Sequence, residues 1–184
     1  MNITQERPAD AGAIEALLDT AFGPKRFAKT VYKLRAGVDP VPELCFVATG
    51  TDAYGAAMLV GTIRHWPIRI GATPALLLGP IAVAPDWRGH GVGAALIRHS
   101  LAAAAAQGHR IVLLVGDAPY YARFGFTREK MAGLTLPGPV ELDRFLGLEL
   151  APGALDGVAG RVGRAALPAP AAASARRRPR RAVR

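Results

Sequence analysis

Apolar residues at Ile14, Leu17, Leu18 and Phe22 recur at helical spacing behind Pro8 and Asp10, which predicts an amphipathic helix ended by Gly23-Pro24. Phe27, Val31 and Leu34 continue the period over about 25–36, a second helix broken by Gly37 and the prolines at 40 and 42. Residues 2–6 read as a short strand. Beyond residue 43 the period changes: 44–49, 56–66 and 75–83 are apolar, partly β-branched runs separated by Gly50-Thr51-Asp52 and Ile70-Gly71-Ala72, an antiparallel meander. Residues 92–107, rich in Ala and Leu, form the strongest helix by propensity, and Gly108 stops it. Residues 111–115 are continuously apolar, as in a strand buried on both faces. Asp117-Ala118-Pro119 starts a short helix that Gly125-Phe126 ends. Segments near 134–136, 145–150 and 155–163 read as late strands or loops. Helices, a meander and one strand–helix–strand crossover imply a layered α+β domain without internal repeats.

With 184 residues and 51% apolar content, the chain suits one core, giving a single domain over 1–164. The net charge of +9 is concentrated at the end. Six arginines among the last nine residues account for all but +3 of it. Residues 165–184, almost wholly Ala, Pro and Arg, cannot bury enough apolar area to order themselves and read as a disordered basic tail. Such a tail makes at most weak nonspecific contact with anions. The lone Cys45 lies in an apolar run, which predicts a buried, unreactive thiol and excludes an internal disulfide. Without a secretory pattern at the start, or an apolar run approaching the ~20 residues needed to cross a bilayer, the expected class is a cytoplasmic enzyme.

The most informative segment is Arg88-Gly89-His90-Gly91-Val92-Gly93-Ala94, where a glycine-rich turn opens the long helix. The first N–H groups of a helix lack internal partners and carry the positive end of its dipole, so they hold anions. Glycines at 89, 91 and 93 let a diphosphate approach, and Arg88 adds charge. A Walker loop would need Lys-Ser or Lys-Thr where Ala94-Ala95 stands. A dinucleotide fingerprint fits Gly89, Gly91 and Ala94, with Asp117 downstream, but five residues separate the turn from the preceding strand.

These residues resemble the GNAT superfamily of N-acetyltransferases. Arg88 to Gly93 matches its pattern of Arg or Gln, two residues, Gly, one residue, Gly or Ala, after an apolar strand. Tyr120-Tyr121-Ala122-Arg123-Phe124-Gly125-Phe126 matches its second pattern, in which Tyr, three residues and Gly-Phe close the acyl site. Leu-Gly-Pro-Ile-Ala-Val and Gly-Asp-Ala-Pro-Tyr-Tyr are most similar to the YhbS-like branch. The resemblance covers roughly residues 2–163. It implies a GNAT-like α+β fold, a mixed, mostly antiparallel sheet flanked by helices, and direct transfer from acetyl-CoA to an amine without metal.

The resemblance also implies roles. Ile81, Ala82 and Val83 would offer main-chain groups to the pantetheine arm, and Arg88, Gly89, His90, Gly91, Val92, Gly93 and Ala94 would cradle the diphosphate, with Phe124 also on the cofactor side. The Val83 N–H would polarise the acyl carbonyl, and Tyr121 would donate a proton to the leaving sulfur. No general base is readable; Asp117, His65 and Glu43 are unspecific candidates, and a water chain or an already neutral amine needs none. The helices over 10–36 and a loop at 64–74 are expected to shape the acceptor pocket. There Lys25, Arg26, Lys29, Lys33 and Arg35 fit a binding surface or a solvated face equally. A homodimer is compatible with the superfamily. Two rivals stay open: a non-catalytic acyl-CoA-binding module, and a dinucleotide oxidoreductase.

Overall fold

The computed structural model describes residues 1–52 and 54–165, so the expected basic tail, from residue 166 onward, lies outside the described residues. Among the described residues eight strands form: β1 (Asn2–Gln5), β2 (Phe46–Thr51), β3 (Ala57–Ile70), β4 (Thr73–Val83), β5 (Ile111–Val115), β6 (Leu134–Thr135), β7 (Phe145–Glu149) and β8 (Gly160–Arg164). The main path across the sheet is β1-β2-β3-β4-β5-β7. Every neighbouring pair along it is antiparallel except β4 and β5. Such a sheet, flanked by helices on both faces, is the α+β arrangement expected. With one parallel pair on this path, and one more only between the short β6 and β8 beside it, the described residues form no doubly wound sheet for a dinucleotide fold.

Four α-helices flank it: α1 (Ala11–Phe22), α2 (Thr30–Arg35), α3 (Val92–Ala106) and α4 (Ala118–Ala122). On one face Ile14, Leu17 and Leu18 of α1 pack with Val47 and Ala82. On the other, Val92, Leu96 and Ile97 of α3 join Ile63, Leu76 and Leu78. Gly61 sets the distance there, since a Cβ at that position would fall 2.9 Å from a Leu96 methyl.

Two expectations are corrected. The helix over 25–36 is split into a 3-10 turn, Pro24–Ala28, and α2, because Lys29 between them is extended (φ −69°, ψ 145°). The loop at 64–74 is mostly strand: β3 runs on to Ile70 and pairs with β4 as far as Ile70↔Thr73. Its outer edge there is covered by β8. The arginines of this segment are accommodated, Arg64 by a two-bond fork to Glu6, and Arg69 at the exposed surface.

His65 shows how tightly this layer is sealed. It is fully buried, its Nδ1 donates to the Leu44 carbonyl at 3.1 Å, and its Nε2 has no partner. Burial pushes its imidazole down to about 4 from the usual 6.5. Between those values the unfolded chain takes up a proton that the folded chain refuses, so stability is intact above pH 6.5 and declines as pH falls toward 4. The loss expected is about 3 kcal/mol. Melting curves from pH 7 to 4 should show the decline in wild type and a shallower one in His65→Gln; equal slopes would contradict this origin. Cys45 is likewise sealed, its thiol pushed up to about 12 by burial, as an inert cysteine should be.

Candidate functional site

The site begins where β4 and β5 part. Only Leu76↔Val112 and Leu77↔Leu113 pair them, although both strands continue. An extra residue enters β4 at this point: Ile63 pairs with Ile81 but His65 with Leu78, so three steps on β4 oppose two on β3, around Gly79-Pro80. Such a bulge bends its strand and re-aims the residues beyond it.

Past the bulge, hydrogen bonding to β3 alternates. Ala84 N–H donates to the Val60 carbonyl, which makes Ala82 and Thr62 a bonded pair and leaves the main-chain groups of Ile81 and Val83 directed away from β3, into the gap. Of the three residues expected to offer backbone, Ile81 and Val83 thus face the opening and Ala82 is engaged inside the sheet. Arg88 Nε donates to the Val83 carbonyl at 3.3 Å, so the Val83 N–H is the group left open.

The same turn carries α3. Gly91, at its start, is left-handed (φ 79°, ψ 0°) and makes no side-chain cap. The first helical bond after it runs from Ala95 N–H to the Gly91 carbonyl, leaving the N–H groups of Val92, Gly93 and Ala94 without internal partners. Gly89 and Gly91 both have φ near +80°, and nothing among the described residues would meet a Cβ at either. They are glycines for conformation, and their outer surface is open. Gly93 has a different reason: a Cβ there would sit 3.0 Å from the Tyr120 hydroxyl. The His90 ring bonds back to the Arg88 carbonyl at 3.0 Å and so braces the turn.

Asp117 caps α4, accepting from Tyr120 N–H at 3.1 Å. This helix presents its two tyrosines in different directions. Tyr120 reaches the glycine turn, while Tyr121 is buried and lines the gap between β4 and β5. The Tyr121 ring passes over Gly116, where a Cβ would be 2.2 Å from it. Desolvation pushes its hydroxyl up to about 12, so it is protonated at neutral pH. Phe124 stacks edge-on against Tyr120 at 5.6 Å and receives the Arg98 and Arg123 guanidinium groups.

Tyr121 also lines a cavity of about 870 Å³ that extends from the strand gap to α2. Its walls include Leu78 to Ile81, Asp117, Arg26, Tyr32 and Arg35, with Glu141 and Arg144 from the segment before β7. Arg26 and Arg35 are buried whereas Lys25, Lys29 and Lys33 are not, a division the helical period could not show. Arg26 is held by Asp19 and Glu15. Of the base candidates, only Asp117 reaches the cavity; His65 is sealed in the core and Glu43 is exposed elsewhere. Glu141, at the cavity wall, had no sequence pattern to mark it.

Comparison with known proteins gives the family to which this fold is similar. The acetyltransferase (GNAT) domain family matches residues 42–128. Over 164 residues the chain is 32% identical to the uncharacterised N-acetyltransferase YhbS of Escherichia coli K12, covering 88% of this chain and 95% of that protein. The crystal structure of E. coli YhbS in complex with CoA is similar with a TM-score of 0.74, 30% identity and 89% coverage of both chains. A GNAT family acetyltransferase from Brucella melitensis, in complex with acetyl-CoA, gives 0.64 at 31% identity, over 90% of this chain and 96% of that one.

Proposed function

The chain belongs to the GNAT acetyltransferase family, and from that premise we propose that it is an N-acetyltransferase moving the acetyl group of acetyl-CoA directly to an amine in a ternary complex. One observation carries the reading: a strand with outward-facing main-chain groups at Ile81 and Val83 ends beside an uncapped helix start, so close that a Cβ at Gly93 would stand 3.6 Å from the Val83 side chain and 4.0 Å from that of Ile81. The first suits an amide-bearing arm and the second a diphosphate. Both features occur in coenzyme A.

Bound acetyl-CoA would supply an activated thioester carbonyl. The residues of this chain do the rest. The N–H groups of Val92, Gly93 and Ala94 hold phosphate oxygens at the positive end of α3, with Arg88 adding charge. The Val83 N–H faces the gap as a donor for the acyl oxygen, where developing negative charge needs one. Tyr121 holds a proton on its hydroxyl beside the same gap. With its acidity at about 12, it is a hydrogen-bond donor to a departing sulfur rather than a ready source of free protons. Asp117 is already occupied as a helix cap, so deprotonation of the acceptor falls to water or to Glu141 at the cavity wall. Binding both partners in one opening provides most of the remaining rate by proximity.

Among the described residues no helix is long and apolar enough to cross a membrane, which fits the cytoplasmic location that belongs to this reading. The test is a comparison of thermal shifts, joined to thiol release. Coenzyme A at about one hundred times its Kd should raise the melting point by roughly 5–10 °C, and NAD should leave it unchanged. Acetyl-CoA with a panel of amines should then release free thiol. A shift with NAD alone, or binding of coenzyme A without thiol release for any amine, would reject the enzyme assignment.

A further inference from the structure

The cavity wall contributed by α2 contains a charge with no counterion among the described residues. Arg35 is 8% exposed, and none of the ion pairs among the described residues includes it. All Asp and Glu side chains of the chain lie at or before Asp156, hence within the described residues, so no acidic side chain is left elsewhere to meet it. Its guanidinium is flanked by the Tyr32 ring at 4.7 Å and the Trp66 ring at 5.9 Å. Three buried groups in this cluster lack a hydrogen-bond partner among the described residues: Arg35 Nε, the Tyr32 hydroxyl and Trp66 Nε1. Arg35 and Trp66 can only donate, and the tyrosine can donate as well. Nη2 of Arg35 lies 3.1 Å from where a Gly79 Cβ would stand, at the bulge that opens the strand gap.

A buried unpaired guanidinium is costly, since removing its hydration is not repaid by an internal partner. Burial draws Arg35 down to about 10, yet it stays cationic at neutral pH. Neighbouring Arg26 shows the alternative, neutralised by two carboxylates of α1. Tyr32 and Arg35 line the cavity beside the strand gap, and Leu34 and Trp66 pack with Leu77 on the face of the sheet opposite Leu76, Leu78 and α3. The coenzyme's phosphates are therefore served elsewhere.

We infer that the amine acceptor carries an anionic oxygen group, a carboxylate or a phosphate, which the Arg35 fork and the Tyr32 hydroxyl receive while the amine points to the gap at Gly79 and Ile81. This rests on the acetyl-transfer reading for what the cavity accommodates. A planar guanidinium matches two oxygens of such a group at once, and the aromatic walls keep it in place without supplying a competing anion.

Acceptor pairs differing at one group test it: free L-amino acids against their carboxamides, and O-phosphoethanolamine against ethanolamine, each followed by thiol release from acetyl-CoA. Wild type should turn over an anionic member at least about tenfold faster than its neutral twin, and the preferred pair distinguishes carboxylate from phosphate. In Arg35→Gln that ratio should fall to within about twofold, with the thermal shift by coenzyme A retained. Arg35→Met, which removes the stranded charge and keeps the volume, should melt about 2–4 °C above wild type. Neutral twins preferred or equalled, a ratio unchanged in Arg35→Gln, or an Arg35→Met protein melting well below wild type would each overturn the inference, the last by showing that Arg35 serves the fold. A binding arm needs no turnover: N-acetylated amino acids should raise the wild-type melting point more than their amides do, and not in Arg35→Gln. Loss of the coenzyme A shift and of all thiol release would instead strike the acetyl-transfer reading, while this arm still decides for or against the anion site.

Discussion

A Gly91→Asp variant is expected to bind coenzyme A about a hundredfold more weakly than wild type while melting within about 4 °C of it. The stability side follows from conformation and space. Gly91 is left-handed, a geometry that aspartate tolerates at roughly 1 kcal/mol, and a Cβ there meets nothing within 4 Å. The binding side follows from charge. A carboxylate at the start of α3 lies beside the unpartnered N–H groups of Val92, Gly93 and Ala94 and competes for them with any incoming phosphate. A hundredfold corresponds to about 2.7 kcal/mol, within the range of a lost charge-assisted bond plus like-charge repulsion. Gly91→Asn adds nearly the same bulk without charge and should fall between the two. Calorimetric titration measures all three; an unchanged Kd in the aspartate variant would place the diphosphate elsewhere.

The second large effect is expected at Tyr121. Tyr121→Phe should lower kcat about a hundredfold, at the lower end for a positioned proton donor, and leave the affinity for acetyl-CoA within about twofold. The low end is appropriate because burial has already made this hydroxyl a weak acid, at about 12. Phenylalanine keeps the ring that packs over Gly116 and against Phe126, so the fold should not respond. Because the hydroxyl reaches half-ionisation only near pH 12, no limb of the wild-type pH–rate profile in the neutral range belongs to it. A limb lost on substitution would show a different role. Turnover equal to wild type would reduce Tyr121 to a packing residue.

Some parts of this molecule are legible in the sequence and others are hidden for identifiable reasons. The strand at Ile111–Val115 and the helix Val92–Ala106 emerge with almost no error, because each is a long uniform run bounded by a glycine or a polar turn. The helix over 25–36 fails at Lys29, whose extended backbone leaves no trace in hydrophobic period. The turn at 88–94 is readable since glycine spacing is itself the structural requirement. The separation of Ile81 and Val83 from Ala82 is not, for it depends on which edge of β4 faces β3, a property of register. Arg35 is the least visible of all. On a helical wheel a buried arginine and a solvated one occupy the same kind of position, and only Tyr32, Trp66 and the absence of a carboxylate around it reveal the difference.

The bulge at Gly79-Pro80 makes the reception of an acyl donor a matter of counting. Upstream of it even-numbered residues Leu76 and Leu78 point toward α3; downstream the odd-numbered Ile81 and Val83 do so, and the parity of the strand has flipped. A descendant lacking either residue would keep its composition and hydropathy almost unchanged. Yet its reading frame across the sheet would slip by one, setting Ala82 against the helix and turning the amides of Ile81 and Val83 inward. Substitution can alter this edge only gradually, whereas a three-nucleotide loss would erase it at once.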